Sequence, residues 1–586
     1  MTRTLIGVGV GPGDPELVTV KAVRVLREAD VVVVPVLAGP DPEPGRAETI
    51  IRQYVAAGRI KRVEFALNDT GGITPRRAAA WQAAGDAVAA EFAGGAATVA
   101  FGTLGDPNLY STFSYLAQTV RELVPDVRVE TVAGITAMQD LASRAGISLA
   151  EGTEPVTLIP LNAGPAALDQ ALASGGTVVG YKAGAAASPA PGALRRQLSD
   201  AGRLEGAVLG VRLGLDGEQV APAAELLPTE LLPAGDTPGE VPGDAPETAL
   251  PYLSTLIAPV PRGARGSSLA PPPTPQKRAQ GRVTFVGAGP GAPDLLTLHG
   301  ARAIADADIV IWASSLVHPG VLRHASGRAE IVDSAGLPME GVLPYYERAA
   351  TQALAVARVH SGDPSLWGAI QEQLEQCAAL GLETEIVPGV SSFTAVAARI
   401  GRELTIPEVA QSVIHTRLGG GKTPMPPGER VADFARHGTT MALFLSAARS
   451  GQLQDELLSG GYPADTPCVV AYQVTWPDEL IVECQLDALA ATIKEHKLWK
   501  HTLVLVGPGL AAAGSRSHLY HPGHFHGFRK AERQARQQLR EADARLPQPG
   551  NHRPGNDQPG DHQPSKQQPS KQQPGKQQPG NHRTPS

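Results

Sequence analysis

The chain has 586 residues, a net charge of −7, 42% hydrophobic residues and 19% charged residues. That balance supports a sizeable buried core, and its acidity excludes an extended nucleic-acid-binding surface while leaving room for local basic pockets. Three cysteines, Cys377, Cys468 and Cys484, are too few and too scattered for a disulfide framework or a thiolate zinc site.

In chain order, Leu5 to Val10 reads as a short apolar strand that runs into the turn Gly9-Val10-Gly11-Pro12-Gly13-Asp14-Pro15. Val18, Ala22, Val25, Leu26 and Ala29 then share one face of a helix, and Val31 to Val34 is the next strand. Leu104-Gly105-Asp106-Pro107 and Val132-Ala133-Gly134-Ile135-Thr136 follow. Pro233 to Pro246 has almost no large apolar residue, Tyr252 to Val260 reads as a strand, and Arg262 to Gln280 is a Pro/Gly/Ser linker. The pattern then begins again. Val283 to Val286 leads into Gly287-Ala288-Gly289-Pro290-Gly291-Ala292-Pro293, a helix carrying Leu295, Leu296, Ala301 and Ile304, and the strand Ile309 to Trp312. Ser361-Gly362-Asp363-Pro364 and Val387-Pro388-Gly389-Val390-Ser391 repeat the later motifs in the same order.

Asp106 to Gly134 spans 28 residues and Asp363 to Gly389 spans 26, so the spacing repeats as well. We read a tandem duplication of a whole α/β domain, with a first domain over 1–262, a linker over 263–280 and a second domain over 281–515. A charged extension covers 516–546. The tail 547–586 has no apolar side chain and a proline at every fifth position from Pro549 to Pro579, which predicts disorder. No leader and no apolar run of roughly 18 residues is read, so the expectation is a cytoplasmic chain without a membrane span.

A Gly-rich turn between strand and helix suggests a dinucleotide site. Gly287-x-Gly289-x-x-Ala292 fits the spacing, but Pro290 lies inside the turn and no acid follows Ile309 to Trp312 to hold a ribose. A nicotinamide-dependent oxidoreductase using these turns stays as the alternative reading, beside a plain tight turn. His518, His521, His524 and His526 cluster late in the chain, but Pro522 and Gly523 break their spacing and no carboxylate completes a site; no metal is expected.

The stretches Gly9 to Thr19 and Gly287 to Thr297, with the later Gly-Asp-Pro and Gly-[Ile/Val]-[Thr/Ser] motifs, resemble the tetrapyrrole (precorrin) methylases. The second half, with Glu403-Leu404-Thr405-Ile406-Pro407-Glu408, Gln411 to Arg417, Thr423 to Pro426 and Trp476 to Glu479, resembles precorrin-4 C-11-methyltransferases. The first half, with Gly102 to Phe113, resembles precorrin-2 C-20-methyltransferases. The resemblance implies two two-lobed α/β units, S-adenosylmethionine as cofactor, anionic tetrapyrrole substrates with or without cobalt, and a homodimer. It implies a bifunctional enzyme of cobalamin synthesis that converts precorrin-2 to precorrin-3A and precorrin-4 to precorrin-5.

By the same resemblance, cofactor contacts fall at Pro12, Gly105, Asp106, Leu109, Thr136 and Ala137, and at Pro290, Gly362, Asp363, Leu366, Ser391 and Ser392. Tyr181, Leu445 and Val474 mark further contacts. The two aspartates, each before a proline, also read as helix N-caps, as do Thr136, Ser391 and Ser392. A polycarboxylate needs cations, and Arg144, Lys182, Arg399 and Arg417 are the first candidates, with Arg212, Arg402, Lys422 and Arg449 behind them. No catalytic base is assigned; His415 reads better as a satisfied structural histidine.

Overall fold

A computed structural model describes residues 2–37, 44–66, 75–185, 187–228, 250–261, 281–406, 409–420, 425–426 and 428–510, all within one compact unit over 1–515. The low-apolar stretch Pro233–Pro246, the linker 263–280, Lys422, the His518–His526 cluster, the extension 516–546 and the tail 547–586 lie outside the described residues.

The apolar runs of the first half form five parallel strands. They are β1 (Thr4–Gly9), β2 (Val31–Val36), β3 (Ile60–Glu64), β4 (Thr98–Thr103) and β5 (Arg128–Val132), in the spatial order β3-β2-β4-β1-β5. The expected helix is Val20–Glu28, capped by the Thr19 hydroxyl, which accepts from Ala22 N. A second lobe contains β6 (Val156–Pro160), β7 (Thr177–Tyr181), β8 (Val208–Val211), β9 (Gln219–Pro222) and β10 (Ser254–Ala258). The last of these is the strand read at Tyr252–Val260.

The second half repeats this plan. Its parallel lobe has β11 (Arg282–Gly287), β12 (Ile309–Trp312), β13 (Glu330–Asp333), β14 (Ala355–His360) and β15 (Glu383–Val387), in the order β13-β12-β14-β11-β15. Its other lobe has β16 (Val413–Arg417), β17 (Thr440–Phe444), β18 (Pro467–Tyr472), β19 (Leu480–Gln485) and β20 (Thr502–Val506).

The halves are not separate bodies. Their second lobes join in one 10-stranded sheet, β19-β18-β20-β17-β16-β6-β7-β10-β8-β9. At its centre β6 and β16 pair antiparallel, with Leu158 opposite Val413, Thr157 opposite Ile414 and Val156 opposite His415. Exchanging the halves, Val156 for Val413 and Leu158 for His415, maps this register onto itself, so a two-fold relation runs through the pair Thr157/Ile414. Each strand offers the other an open edge beside a buried apolar face, and pairing satisfies both edges. One apolar core spans the seam: Leu141, Leu149 and Val156 pack with Phe393, Leu404 and Val413. Thr19 and Thr297 form a further bridge between the halves. Among the described residues no helix is long and apolar enough to cross a membrane, and no cluster of His, Cys, Asp or Glu is placed to hold a metal.

Candidate active sites

In an open parallel sheet, ligands bind outside the carboxyl ends of the strands, where the strand order reverses. In the first half, that edge carries the turn after β1, the loop after β4 and the loop after β5. Their backbones touch. A Cβ on Gly9 would lie 2.6 Å from Gly105 O, and one on Gly134 would lie 2.2 Å from the same oxygen. Gly11 and Gly105 form a two-residue bridge. Gly287, Gly362 and Gly389 repeat the arrangement, with Gly389 2.2 Å from Gly362 O on the same test. By contrast, a Cβ on Gly105 (φ +68°) or Gly362 (φ +66°) would meet nothing within 4 Å. Each motif thus gives a closely packed backbone cradle with one open side.

The structure brings the expected cofactor residues together around these cradles and gives the aspartates a definite task. Asp106 accepts from Asn108 N (2.8 Å) and Gly134 N (2.9 Å). Asp363 accepts from Ser365 N (2.9 Å) and Gly389 N (3.1 Å). The carboxylates tie the Gly-Asp-Pro loop to the following glycine loop. They are not helix N-caps, because the next helices start only at Phe113 and Gln371. Burial raises Asp106 to about 7 and Asp363 to about 6, against the lowering effect of these hydrogen bonds. Thr136 does cap a helix, Ala137–Ala145, and forms a capping box with Gln139. Ser391 is the N-cap residue of Ser392–Ile400 without a side-chain cap bond. Leu109 and Leu366 are buried beside their loops.

Residues with strained backbones recur at matching points of the two clefts. Tyr110 (φ +51°) matches Trp367 (φ +55°), Lys182 (+61°) matches Leu445 (+50°), and Arg212 (+52°) matches Gln473 (+43°). Such left-handed, non-glycine residues cost about 1–3 kcal/mol each and gather at functional sites. Nothing in the sequence signals them, since none is glycine. The Tyr181 hydroxyl is buried beside Thr136 without a hydrogen bond of good geometry, and the Trp367 indole N–H is buried without a partner.

The expected substrate cations are placed differently from one another. Arg144 pairs with Asp140 (2.8 Å) and with Glu218 (2.7 Å) of the second lobe. Its counterpart Arg399 holds Glu479 through Nε (2.8 and 3.0 Å) and also through Nη2. Arg144 also approaches Asp14 of the turn after β1 (3.7 Å) and so ties that turn to Glu218, whereas Arg399 ties its helix to the loop before β19. Arg417 donates to Gly152 O (2.5 Å), and Arg449 donates to Leu418 O (3.1 Å). Lys182 lies over the Tyr110 ring, 5.2 Å from its centroid. Arg212 and Arg144 line an interlobe cavity of about 600 Å³, together with Arg46, which sequence reasoning missed. The turn at Pro290 is closed by the Trp476 indole, which donates to Pro290 O (2.7 Å). His415 departs from the satisfied histidine expected: it is fully buried against Phe393, neither ring nitrogen has a partner, and burial lowers its pKa to about 3.

The model of the tetrapyrrole (corrin/porphyrin) methylases matches residues 4–226 and 282–490, covering both cradles. The chain belongs to this family. Methylases of this family use S-adenosylmethionine, so the two cradles belong to an S-adenosylmethionine-dependent tetrapyrrole methylase. A cobalt-precorrin-4 C(11)-methyltransferase of Methanocaldococcus jannaschii is 41% identical over 253 residues, which is 43% of this chain and 97% of that protein. A precorrin-4 C(11)-methyltransferase of Pseudomonas aeruginosa is 42% identical over 43% of this chain and 99% of its own length. A siroheme synthase of Pseudomonas paraeruginosa is 31% identical over 39% of the chain and half of its own length. Among solved structures, a cobalt precorrin-4 methyltransferase is 37% identical over 41% of this chain and 100% of its own, with a TM-score of 0.39.

The cradles suit the cofactor. The open sides of Gly105 and Gly362 leave room for a ligand against backbone, and the unpartnered Tyr181 hydroxyl and Trp367 N–H offer polar contacts beside them.

Proposed function

We propose that each half is a working C-methyltransferase of cobalamin synthesis. The first methylates precorrin-2 at C-20 to give precorrin-3A, and the second methylates precorrin-4 at C-11 to give precorrin-5. The observation that carries this is the duplicated cradle: every part occurs twice, and neither copy is degraded. The precorrin-4 relatives, each matched over nearly its whole length, support the C-11 reaction. The resemblance of Glu403 to Arg417 supports giving that reaction to the second half, and that of Gly102 to Phe113 supports giving the C-20 reaction to the first.

Bound S-adenosylmethionine supplies an electrophilic methyl group on a sulfonium sulfur. The protein's share is position and electrostatics. Gly105, Asp106, Leu109, Thr136 and Ala137, with Pro12, hold the cofactor of the first site; Gly362, Asp363, Leu366, Ser391 and Ser392, with Pro290, hold that of the second. The aspartates act by fixing the loops, with their carboxylates turned to backbone N–H groups. Lys182 and Arg417 receive substrate carboxylates, and Arg144 and Arg399 hold their helices in place through Glu218 and Glu479. The substrates are anionic and small, with no nucleic acid or membrane involved, and the setting is cytoplasmic. The chain itself supplies the paired arrangement expected of a homodimer, so a monomer is the expected state.

The test uses the full-length chain with S-adenosylmethionine and either precorrin. Gly105→Leu fills the open side of the first cradle and Gly362→Leu that of the second. The wild type is expected to add one methyl to each substrate, G105L to lose only the precorrin-2 reaction, and G362L only the precorrin-4 reaction. Saturable NADPH binding without S-adenosylmethionine binding in the wild type would instead establish the oxidoreductase reading.

A further inference from the structure

The second half places a carboxyl group in the first half's site. The segments 403–406 and 409–411 contact the loop 108–114 of the first half. Leu404 N donates to Asn108 O (2.9 Å), Tyr110 N donates to Thr405 Oγ1 (2.7 Å), and the Tyr110 hydroxyl donates to Gln411 O (2.8 Å). Glu403 accepts from the Ser114 hydroxyl and, through its other oxygen, from Thr405 Oγ1 (3.3 Å). It is only 8% exposed. Lys182, at the end of β7, meets the same Tyr110 from its ring face: its ammonium lies 5.2 Å from the ring centroid and makes no ion pair within 4 Å among the described residues, while Glu403 reaches the Tyr110 backbone through Thr405.

The groups acting on this pair are few. Burial, and to a lesser degree Arg77, lowers the pKa of Lys182 against the raising effect of Glu403. Burial raises Glu403 to about 7, against the hydroxyls of Ser114 and Thr405, the charge of Lys182 and the Ser111 backbone, so it is an anion above neutral pH. Tyr110, pushed up by burial, stays neutral, and Tyr181 stands beside it. An ammonium packed over an aromatic ring and partly withdrawn from water holds its proton more firmly with an anion near it. The second cleft has no such pair: Leu445 stands for Lys182, Ser148 for Glu403, Trp367 for Tyr110 and Phe444 for Tyr181. Ser148 spends its hydroxyl on Ala150 O and Ser365 O.

We propose that Glu403, although carried by the second half, is a positioning residue of the first half's site: it holds Lys182 as an ammonium aimed at a carboxylate of the anionic substrate. This rests on the first half being a methylase of such a substrate. The positioning is therefore read in two ways in the full-length chain, one of which needs no substrate. In the first, Glu403→Gln is expected to raise KM for precorrin-2 about tenfold, with kcat little changed. Glu403→Asp should restore most of the loss, Lys182→Met should match E403Q, and the double variant should be no worse than either. Precorrin-4 methylation should not change. In the second, trace acetylation at pH near 8 with mass spectrometry should label Lys182 several-fold more in E403Q than in the wild type, because the amine loses its proton more readily. Equal labelling of Lys182 in both proteins, or an equal loss of both methylations, overturns the proposal. If E403Q does not fold, labelling in Glu403→Asp decides in the same way, intermediate labelling supporting the proposal and wild-type labelling overturning it. A wild type inert towards precorrin-2 defeats the reading of the first half, and the labelling still decides the role of Glu403.

Discussion

Asp106 and Asp363 show what a motif residue does when its neighbours are backbone. Each is 2% exposed or less and accepts from two backbone N–H groups on two loops. Asp106→Ala would leave Asn108 N and Gly134 N unpaired in the interior. At about 1–3 kcal/mol for each buried donor left unsatisfied, the first half should lose about 2 kcal/mol or more. Denaturant unfolding should report that loss, and calorimetric titration with S-adenosylhomocysteine should show weaker binding at one of two sites. The pH dependence has a definite sign. These carboxyls hold their proton more tightly folded, at about 7 and about 6, than their ordinary value of 3.8. Their contribution to stability is complete below about pH 4 and is lost as the pH rises through about 6 to 7. The double variant Asp106→Asn, Asp363→Asn should therefore lose less Tm than the wild type between roughly pH 5 and 8, in scanning calorimetry. The sequence made these aspartates visible through the repeated Gly-Asp-Pro motif. It misplaced their job as caps, because a proline after an aspartate looks the same whether a helix or an irregular loop follows. Tyr110, Trp367 and Arg46 left no trace at all: a strained backbone at a non-glycine residue, or an arginine lining a cavity, is set by distant packing.

At the scale of elements, the helices Ala137–Ala145 and Ser392–Ile400 each present one arginine to a distant glutamate, but with unequal consequences. Arg144 serves Glu218 and also Asp140, a carboxylate 2% exposed that burial raises to about 6 despite the arginine. Arg399, half exposed, serves Glu479, whose side chain is 13% exposed and which also accepts from Thr475 N, and the position matching Asp140 is Ala395, so no acid without another partner depends on it. Removing one partner of a buried pair costs about 3 kcal/mol or more, whereas a solvent-exposed pair is worth about 1 kcal/mol or less. Arg144→Met is expected to cost about 2–3 kcal/mol and Arg399→Met about 1 kcal/mol or less, measured by denaturant melts of the full chain. Equal losses would mean that Asp140 finds another partner or stays protonated. Elements of this kind were mostly legible. The helix periodicity after each Gly-rich turn and the strand at Ser254–Ala258 follow from local pattern, whereas the threonine caps Thr19 and Thr297 emerged only with the structure. The Arg144–Glu218 pair was not legible, because the two residues lie 74 positions apart.

For the whole molecule, the decisive feature is the pairing of β6 with β16. A linker rich in proline and glycine suggested two domains that work alone. Nothing local distinguishes an apolar strand that ends a sheet from one that continues into another, so the shared sheet was invisible in the sequence. Its consequences are strong. Separation at the linker would expose the inner edge of β6 in one half and of β16 in the other, each beside an apolar face of the common core that includes Leu141, Leu149, Phe393 and Leu404. Open apolar edges recruit other strands. Because the register at the seam is symmetric, a second copy of the same half offers a matching edge: Val156–Leu158 can face its own copy as it faces Val413–His415. Residues 1–261 or 281–510 expressed alone are thus expected to form dimers or aggregates, and the full chain to stay monomeric, as read by light scattering. Coexpression of the two pieces should recover a one-to-one complex, with the first site again receiving Glu403 from its neighbour. Stable monomers of either piece, binding S-adenosylhomocysteine as tightly as the whole chain, would show that the seam is dispensable and that each half completes its own site.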